Sequence, residues 1–209
     1  MQDTREANRC RTRARQRVGV KIPPIPFQRV VVIGSSGAGK STFACRLGAA
    51  TGLPVTHIDQ LFWQPGWVQT PKPLYLERLA TVVAQDCWII EGVNASTLDL
   101  RLPRTDLLIW LERSRLACLG RVALRAASSY GSVRPDMAPG CPEQLPDFEF
   151  LTYVWTFGSR IAPRIEAAID QHGMRERTVR LASDADAEAW LATLGPGVRR
   201  NAEASPEGA

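Results

Sequence analysis

The sequence predicts a doubly wound α/β fold built on a parallel sheet, and three observations carry that expectation. Residues 34–41 read GSSGAGKS, which fits the phosphate-loop pattern G-x-x-x-x-G-K-[ST] at every fixed position. An apolar run, Arg29-Val30-Val31-Val32-Ile33, precedes the loop and a helical pattern follows it, the strand–loop–helix setting that the pattern needs. Farther on, short apolar runs alternate with helical periodicity, as expected for parallel strands covered on both faces.

In chain order, residues 1–26 are expected to lie outside the fold. They end in Ile22-Pro23-Pro24-Ile25-Pro26, which cannot form a helix and reads as an extended linker. The folded domain is expected over 27–195. Candidate strands are 29–33, 55–58, 87–90, 106–111 and 178–181, which makes five. The first helix, 40–51, stops at Gly52 with Pro54 beyond it. A second, 74–85, follows Pro73, and a third, 114–128, carries Leu116, Leu119, Val122 and Ala126. A fourth helical pattern covers 147–171 and is broken or kinked at Pro163. The last, 184–194, opens with Ser183 or Asp184 as its cap. Residues 126–147 contain an irregular stretch with prolines at 135, 139, 142 and 146, and they read as a lid. Residues 196–209 are polar and read as a disordered tail.

Composition bounds the function. The 209-residue chain has a net charge of +5, and residues 1–21 supply all of it: six Arg and Lys21 against Asp3 and Glu6. The rest sums to zero, so a basic folded surface is not expected. The tail either contacts nucleic acid or is a plain extension, including one from an upstream start codon. No apolar run is long enough to span a bilayer, and the basic N-terminus lacks the apolar stretch of a secretory signal. Five scattered cysteines without a C-x-x-C pair point to a reducing cytoplasm and away from a zinc site.

The phosphate loop implies binding of a nucleoside triphosphate. Gly34, Ser35, Ser36, Gly37, Ala38 and Gly39 would turn their amides toward phosphate, with Lys40, Ser41 and Thr42 opening the helix behind them. Lys40 supplies positive charge to the β- and γ-phosphates, and the Ser41 hydroxyl is the expected Mg²⁺ ligand. A carboxylate at a neighbouring strand end should complete the metal's surroundings. Asp59 and Glu91 both qualify, and either is alternatively a helix cap or a surface acid. Asp106 precedes its strand and falls at the opposite edge. Arg121 and Arg125 are candidates for stabilising charge on a transferring phosphoryl group, against the alternative of a solvated helix face. Arg134 is expected to join on lid closure. Arg101 either binds a substrate phosphate or caps a turn. Trp63, with Phe62 and Trp67, either stacks on a substrate ring or packs in a core. His57 reads as structural.

Taken together, GSSGAGKST, HIDQLFWQPGW, WIIEGVNASTLDLRL, LIWLERSRLACLGRVALR and RPDMAPGCPE resemble the bacterial adenylate-kinase-like P-loop proteins often labelled "DNA topology modulation protein". The resemblance spans roughly 29–194. It implies a P-loop NTPase fold of the nucleoside- and shikimate-kinase type: a five-stranded parallel sheet, a substrate segment after the second strand and an arginine-bearing lid. The Asp-Gly pair of adenylate kinases is matched by Glu91-Gly92, and their lid arginines by Arg121 and Arg125. Their following Phe-Pro-Arg is replaced by Val93-Asn94-Ala95, which puts a standard AMP site in doubt. The implied activity is transfer of the ATP γ-phosphoryl group to a small nucleotide-like or hydroxylated acceptor. The alternatives are an ATP-dependent protein that meets nucleic acid through its tail, and a slow ATPase switch.

Overall fold

β1 (Arg29–Gly34) is the axis of the molecule: four successive residues, Val30 to Ile33, have no solvent exposure. In the computed structural model, which describes residues 27–194, it sits third in a five-stranded, all-parallel sheet. The other strands are β2 (Val55–His57), β5 (Trp88–Glu91), β6 (Leu107–Leu111) and β7 (Thr178–Leu181), and the order is β2-β5-β1-β6-β7. The order reverses at β1, so the crevice between diverging connections opens above its C-terminal end, where the phosphate loop lies.

Helices cover both faces. α1 (Lys40–Thr51) and α8 (Asp184–Ala192) close one layer, where Phe43, Leu47 and Leu191 pack on Val30, Val32 and Ile109. α3 (Lys72–Val83), α4 (Leu98–Arg101) and α7 (Ala162–Gln171) close the other over Val31, Ile33, Ile90 and Leu108. Alternate residues of β1 thus serve opposite cores, which is why the strand reads as one unbroken apolar run. α5 (Arg115–Ser129) and α6 (Phe148–Arg160) pack together beyond β6. Their starts are capped by Ser114 and Asp147, and a capping box of Ser183 and Asp186 starts α8. At the far edge Asp106 accepts from the backbone N–H of Gln28 and Arg29 and pairs with Arg29, as its position before β6 implied.

Several boundaries differ from expectation. β5 runs to Glu91, which is a strand residue paired with His57. α3 begins at Lys72, because a proline in the first turn lacks only an N–H that has no intrahelical partner. The 147–171 pattern is two helices that meet at Ile161, with Pro163 in the first turn of the second. The aromatic stretch after β2 was not expected to form strands. It folds as a short helix, α2 (Ile58–Phe62), and a two-stranded antiparallel hairpin, β3 (Trp63–Gln64) with β4 (Val68–Gln69). Cys45 is exposed, whereas Cys118 and Cys141 are buried thiols. The expectations for 1–26 and 196–209 lie outside the described residues. Among the described residues no helix is long and apolar enough to cross a membrane.

Candidate active site

The phosphate loop is held by close backbone packing. Ala38 N–H bonds to the Ser35 carbonyl at 3.1 Å, and Gly39 caps α1 in the left-handed conformation. Gly37 has φ +82°, and a Cβ there would stand 2.3 Å from the Cys118 carbonyl oxygen of α5. Only glycine satisfies both the dihedral and the approach. The first amides of α1 have no partner inside the helix and face the loop's concavity, where the helix dipole also favours anions.

Three side chains converge on Glu91 at the mouth of that concavity. The Ser41 hydroxyl donates to Glu91 Oε2 at 3.3 Å. Lys40 Nζ lies 3.8 Å from Glu91 Oε1 and donates to the Ser35 carbonyl at 3.1 Å. His57 Nδ1 is 2.8 Å from Glu91 Oε2, and its other ring nitrogen is 3.9 Å from Cys45 Sγ. Glu91 is only 5% exposed, so its charge depends on these partners. Burial alone would lower the His57 pKa. The hydrogen bond and charge of Glu91 outweigh it, with Asp136 and Asp59 adding, and the net shift is upward.

Asp59 stands in the first turn of α2, beside this cluster. Its surface opens to solvent, yet the walls of the cleft crowd its carboxyl. That enclosure, and then the negative charges of Glu91 and Asp136, push its pKa above the ordinary carboxylate range, while Lys40 and Arg134 pull against them.

Hydroxyl and carboxylate oxygens are the donors a hard cation prefers. Ser41 and Glu91 therefore fit Mg²⁺ bound together with nucleotide phosphates. No group of three His, Cys, Asp or Glu among the described residues forms a protein-only metal cage.

The arginines divide. Arg121 belongs to the loop: its Nη1 lies 3.9 Å from the point a Cβ on Gly39 would occupy. It pairs there with Asp184, at the start of α8. Arg113 reaches the same carboxylate at 3.1 Å, and the two guanidinium groups outweigh partial burial to hold the Asp184 pKa low. Arg125 was expected beside Arg121. It is instead held by Glu143, Nε to Oε1 at 2.9 Å, because it projects one helical turn farther toward the irregular segment. Arg101 is a correction as well. It is fully buried and gives its guanidinium to the carbonyls of Gly92, Asn94 and Thr97, so it clamps the loop after β5 and cannot meet a substrate. Burial lowers its pKa to about 10.

The segment expected as a lid is a strap closed at its base. α5 continues to Ser129, so the strap begins at Tyr130. Tyr130 bridges to Glu143, and Gly131 N–H and the Ser132 carbonyl bond to the Glu143 backbone. The Glu143 side chain pairs with both Arg125 and Arg134, and Arg134 also donates to Asp136 at 2.9 Å. Across the cleft the strap is bound to α2 and the hairpin. Gln60 donates to the Pro135 carbonyl (2.7 Å), Trp67 Nε1 to the Pro142 carbonyl (3.0 Å) and Gly66 N–H to the Gly140 carbonyl (2.8 Å). Met137, Ala138 and Cys141 form a small core of their own against Trp63 and Trp67. Trp63 therefore packs, half-buried, against the strap. HIDQLFWQPGW and RPDMAPGCPE, read separately in the sequence, are each other's binding partners. Asp136 and Glu143 were not picked out from sequence; the signal was their place in the second block, opposite the first.

A cavity of about 410 Å³ touches Ser35 from the β6 side, between α5 and α6.

No protein-family model matches the chain, and no curated protein matches it in sequence. Solved structures of similar fold include a gluconokinase from Sinorhizobium meliloti 1021, 22% identical, covering 80% of this chain and 93% of its own, with a TM-score of 0.46. A shikimate kinase from Acinetobacter baumannii bound to shikimate is 14% identical over 81% of this chain and 92% of its own, with a TM-score of 0.49. A deoxyadenosine kinase from M. mycoides bound to dCTP is 13% identical over 79% of this chain and 98% of its own, with a TM-score of 0.42. The five-stranded parallel sheet and the phosphate loop give this chain an α/β P-loop fold.

Proposed function

We propose that this protein is a phosphotransferase that moves the γ-phosphoryl group of Mg-ATP to a hydroxyl of a small molecule. One observation carries the reading: Lys40, Ser41 and Glu91 meet at the mouth of a glycine-built phosphate nest, and Asp59 faces the same space. The loop amides and Lys40 hold the β- and γ-phosphates. Ser41 and Glu91 hold Mg²⁺, which neutralises charge on those phosphates when bound. Asp59, whose pKa is raised, takes the acceptor's hydroxyl proton. The acceptor oxygen bonds to the γ-phosphorus, the bond from that phosphorus to the bridging oxygen breaks, and ADP leaves. Arg121, released from Asp184, stabilises charge on the transferring group. The strap limits water as a competing acceptor.

The test is ADP release from Mg-ATP with a panel of nucleosides, nucleoside monophosphates and hydroxylated metabolites. Stimulation by an acceptor in the wild type, and its loss in Lys40→Ala, is the expected result. ATP affinity unchanged by Lys40→Ala would sink the loop assignment.

The charge concentrated in residues 1–21 supports a second reading, an ATP-dependent protein acting on nucleic acid, as the "DNA topology modulation" label would have it. Salt-sensitive DNA binding that disappears on deleting 1–26, with no acceptor-stimulated turnover, would favour it.

A further inference from the structure

We propose that His57 is the positioning residue of the metal–nucleotide site: its Nδ1–H bond to Glu91 fixes the carboxylate that, with Ser41, receives Mg²⁺. This rests on the kinase reading above and adds to it a residue that the sequence read as structural.

The geometry starts from the sheet. β2 and β5 run parallel, and their last residues, His57 and Glu91, are paired in register. Paired residues of neighbouring strands share a face of the sheet, so the two side chains meet, with Nδ1 2.8 Å from Oε2. Both residues are buried, His57 at 7% exposure and Glu91 at 5%. The backbone around the pair is held as well. Gly92 follows Glu91 with φ +132°, and a Cβ there would stand 2.2 Å from Ile58 Cγ1, in the residue that follows His57. Its N–H bonds to the Val32 carbonyl of β1 at 3.0 Å. With glycine at 92, the residues after the two strand ends pack in direct contact.

The bond has a task that packing does not explain. A glutamate carboxylate turns about several side-chain bonds, and something must choose its orientation. Oε2 accepts from both Ser41, at 3.3 Å, and His57, at 2.8 Å, which leaves Oε1 toward Lys40 Nζ at 3.8 Å. A carboxylate only accepts, so Nδ1 is the nitrogen that carries the proton. The other ring nitrogen has the Cys45 sulfur at 3.9 Å, a far weaker contact, so Glu91 also sets the ring. Ser41 and Lys40 open α1 behind the phosphate loop, and both turn to the nucleotide and its cation when these bind. His57 stands on β2, outside the loop, and its bond can persist through binding. Hydrogen bonds of this kind to a metal-binding carboxylate typically carry about 10- to 100-fold in metal affinity or activity.

The test reads metal-dependent binding rather than turnover. ATP is titrated by calorimetry into the full-length protein with excess Mg²⁺ and again with EDTA, and the ratio of the two affinities is the gain that Mg²⁺ brings. His57→Ala and His57→Leu both remove the donor and differ in the space they fill, so either one that folds carries the test. Each should shrink the gain about tenfold or more, with affinity in EDTA within about threefold of wild type. His57→Asn, whose side-chain N–H can stand near the place of Nδ1, should keep the gain within about threefold of wild type. Equal losses of affinity with and without Mg²⁺ in the donor-less variants, which lost packing alone would give, overturn the inference. So does His57→Asn losing as much of the gain as His57→Leu. A wild type that gains no ATP affinity from Mg²⁺ overturns the metal assignment of the kinase reading instead.

Discussion

The phosphate loop and the strap face each other across one cleft, and they are built in opposite ways. The loop is a local object. Eight consecutive residues, 34–41, make it, and its outer support is backbone against backbone, with Gly37 under the Cys118 carbonyl. The strap is a long-range object. Its bonds to α2 and the hairpin join residues 75 positions apart, and its core draws on both segments. Each region has a glycine that admits no side chain: a Cβ on Gly140 would stand 2.8 Å from that of Pro65, with φ already at +75°. In the loop this closeness leaves a concavity lined with donors. In the strap it seals two segments into one unit, in which Asp136 pairs with Arg134. The difference teaches that the two regions are separable: one is built by contiguous backbone, the other by side chains that meet only through the fold.

The largest expected effect tests the donor side. Arg121→Ala should lower kcat about 100-fold or more while changing ATP affinity little, measured by steady-state kinetics beside a binding isotherm. Should the loss fall on ATP affinity alone, Arg121 grips the ground state and its pairing with Asp184 is a nucleotide clamp.

A smaller effect tests the strap. Trp67→Ala removes a half-buried ring and the donor to Pro142, a local loss of about 2 kcal/mol. Limited proteolysis should then cut within 130–143 faster, and acceptor KM should rise, with ATP affinity within about twofold of wild type. Equal damage to ATP binding would break the separation of the two regions.

The smallest effect concerns His57, at the joint. Its folded-state pKa lies above the ordinary 6.5, so the folded protein holds the proton more tightly than the unfolded chain. The stabilisation is complete below the unfolded value and disappears as pH rises through the folded one. The Tm gap between wild type and His57→Gln should therefore be widest near roughly pH 6 and shrink toward roughly pH 9. A gap that stays constant would assign His57 to packing alone.

The nucleotide half of the site was legible because its information is contiguous: glycines, Lys40 and Ser41 occur at fixed spacing between an apolar strand and a helix. Glu91 and Asp59 were legible as strand-end acids, since ligands gather at the C-terminal edge of parallel strands. The arginines were not. Arg101, Arg121 and Arg125 are one residue type in helical segments, and only their surroundings sort them into a buried clamp, a loop partner and a strap anchor. Trp63 was equally ambiguous, because an aromatic at a strand end packs or stacks according to what stands opposite.

By itself, then, the sequence determined the layers, the five strands and the phosphate nest, because hydrophobic periodicity and glycine dihedrals act over a few neighbouring residues. Tertiary structure alone decided that the two aromatic and proline-rich blocks clasp each other, that Glu143 gathers Arg125 and Arg134, and that Arg101, Arg121 and Arg125 take three different sets of partners. Charge pairing and burial depend on distances in space, and no spacing along the chain encodes which carboxylate a guanidinium will find.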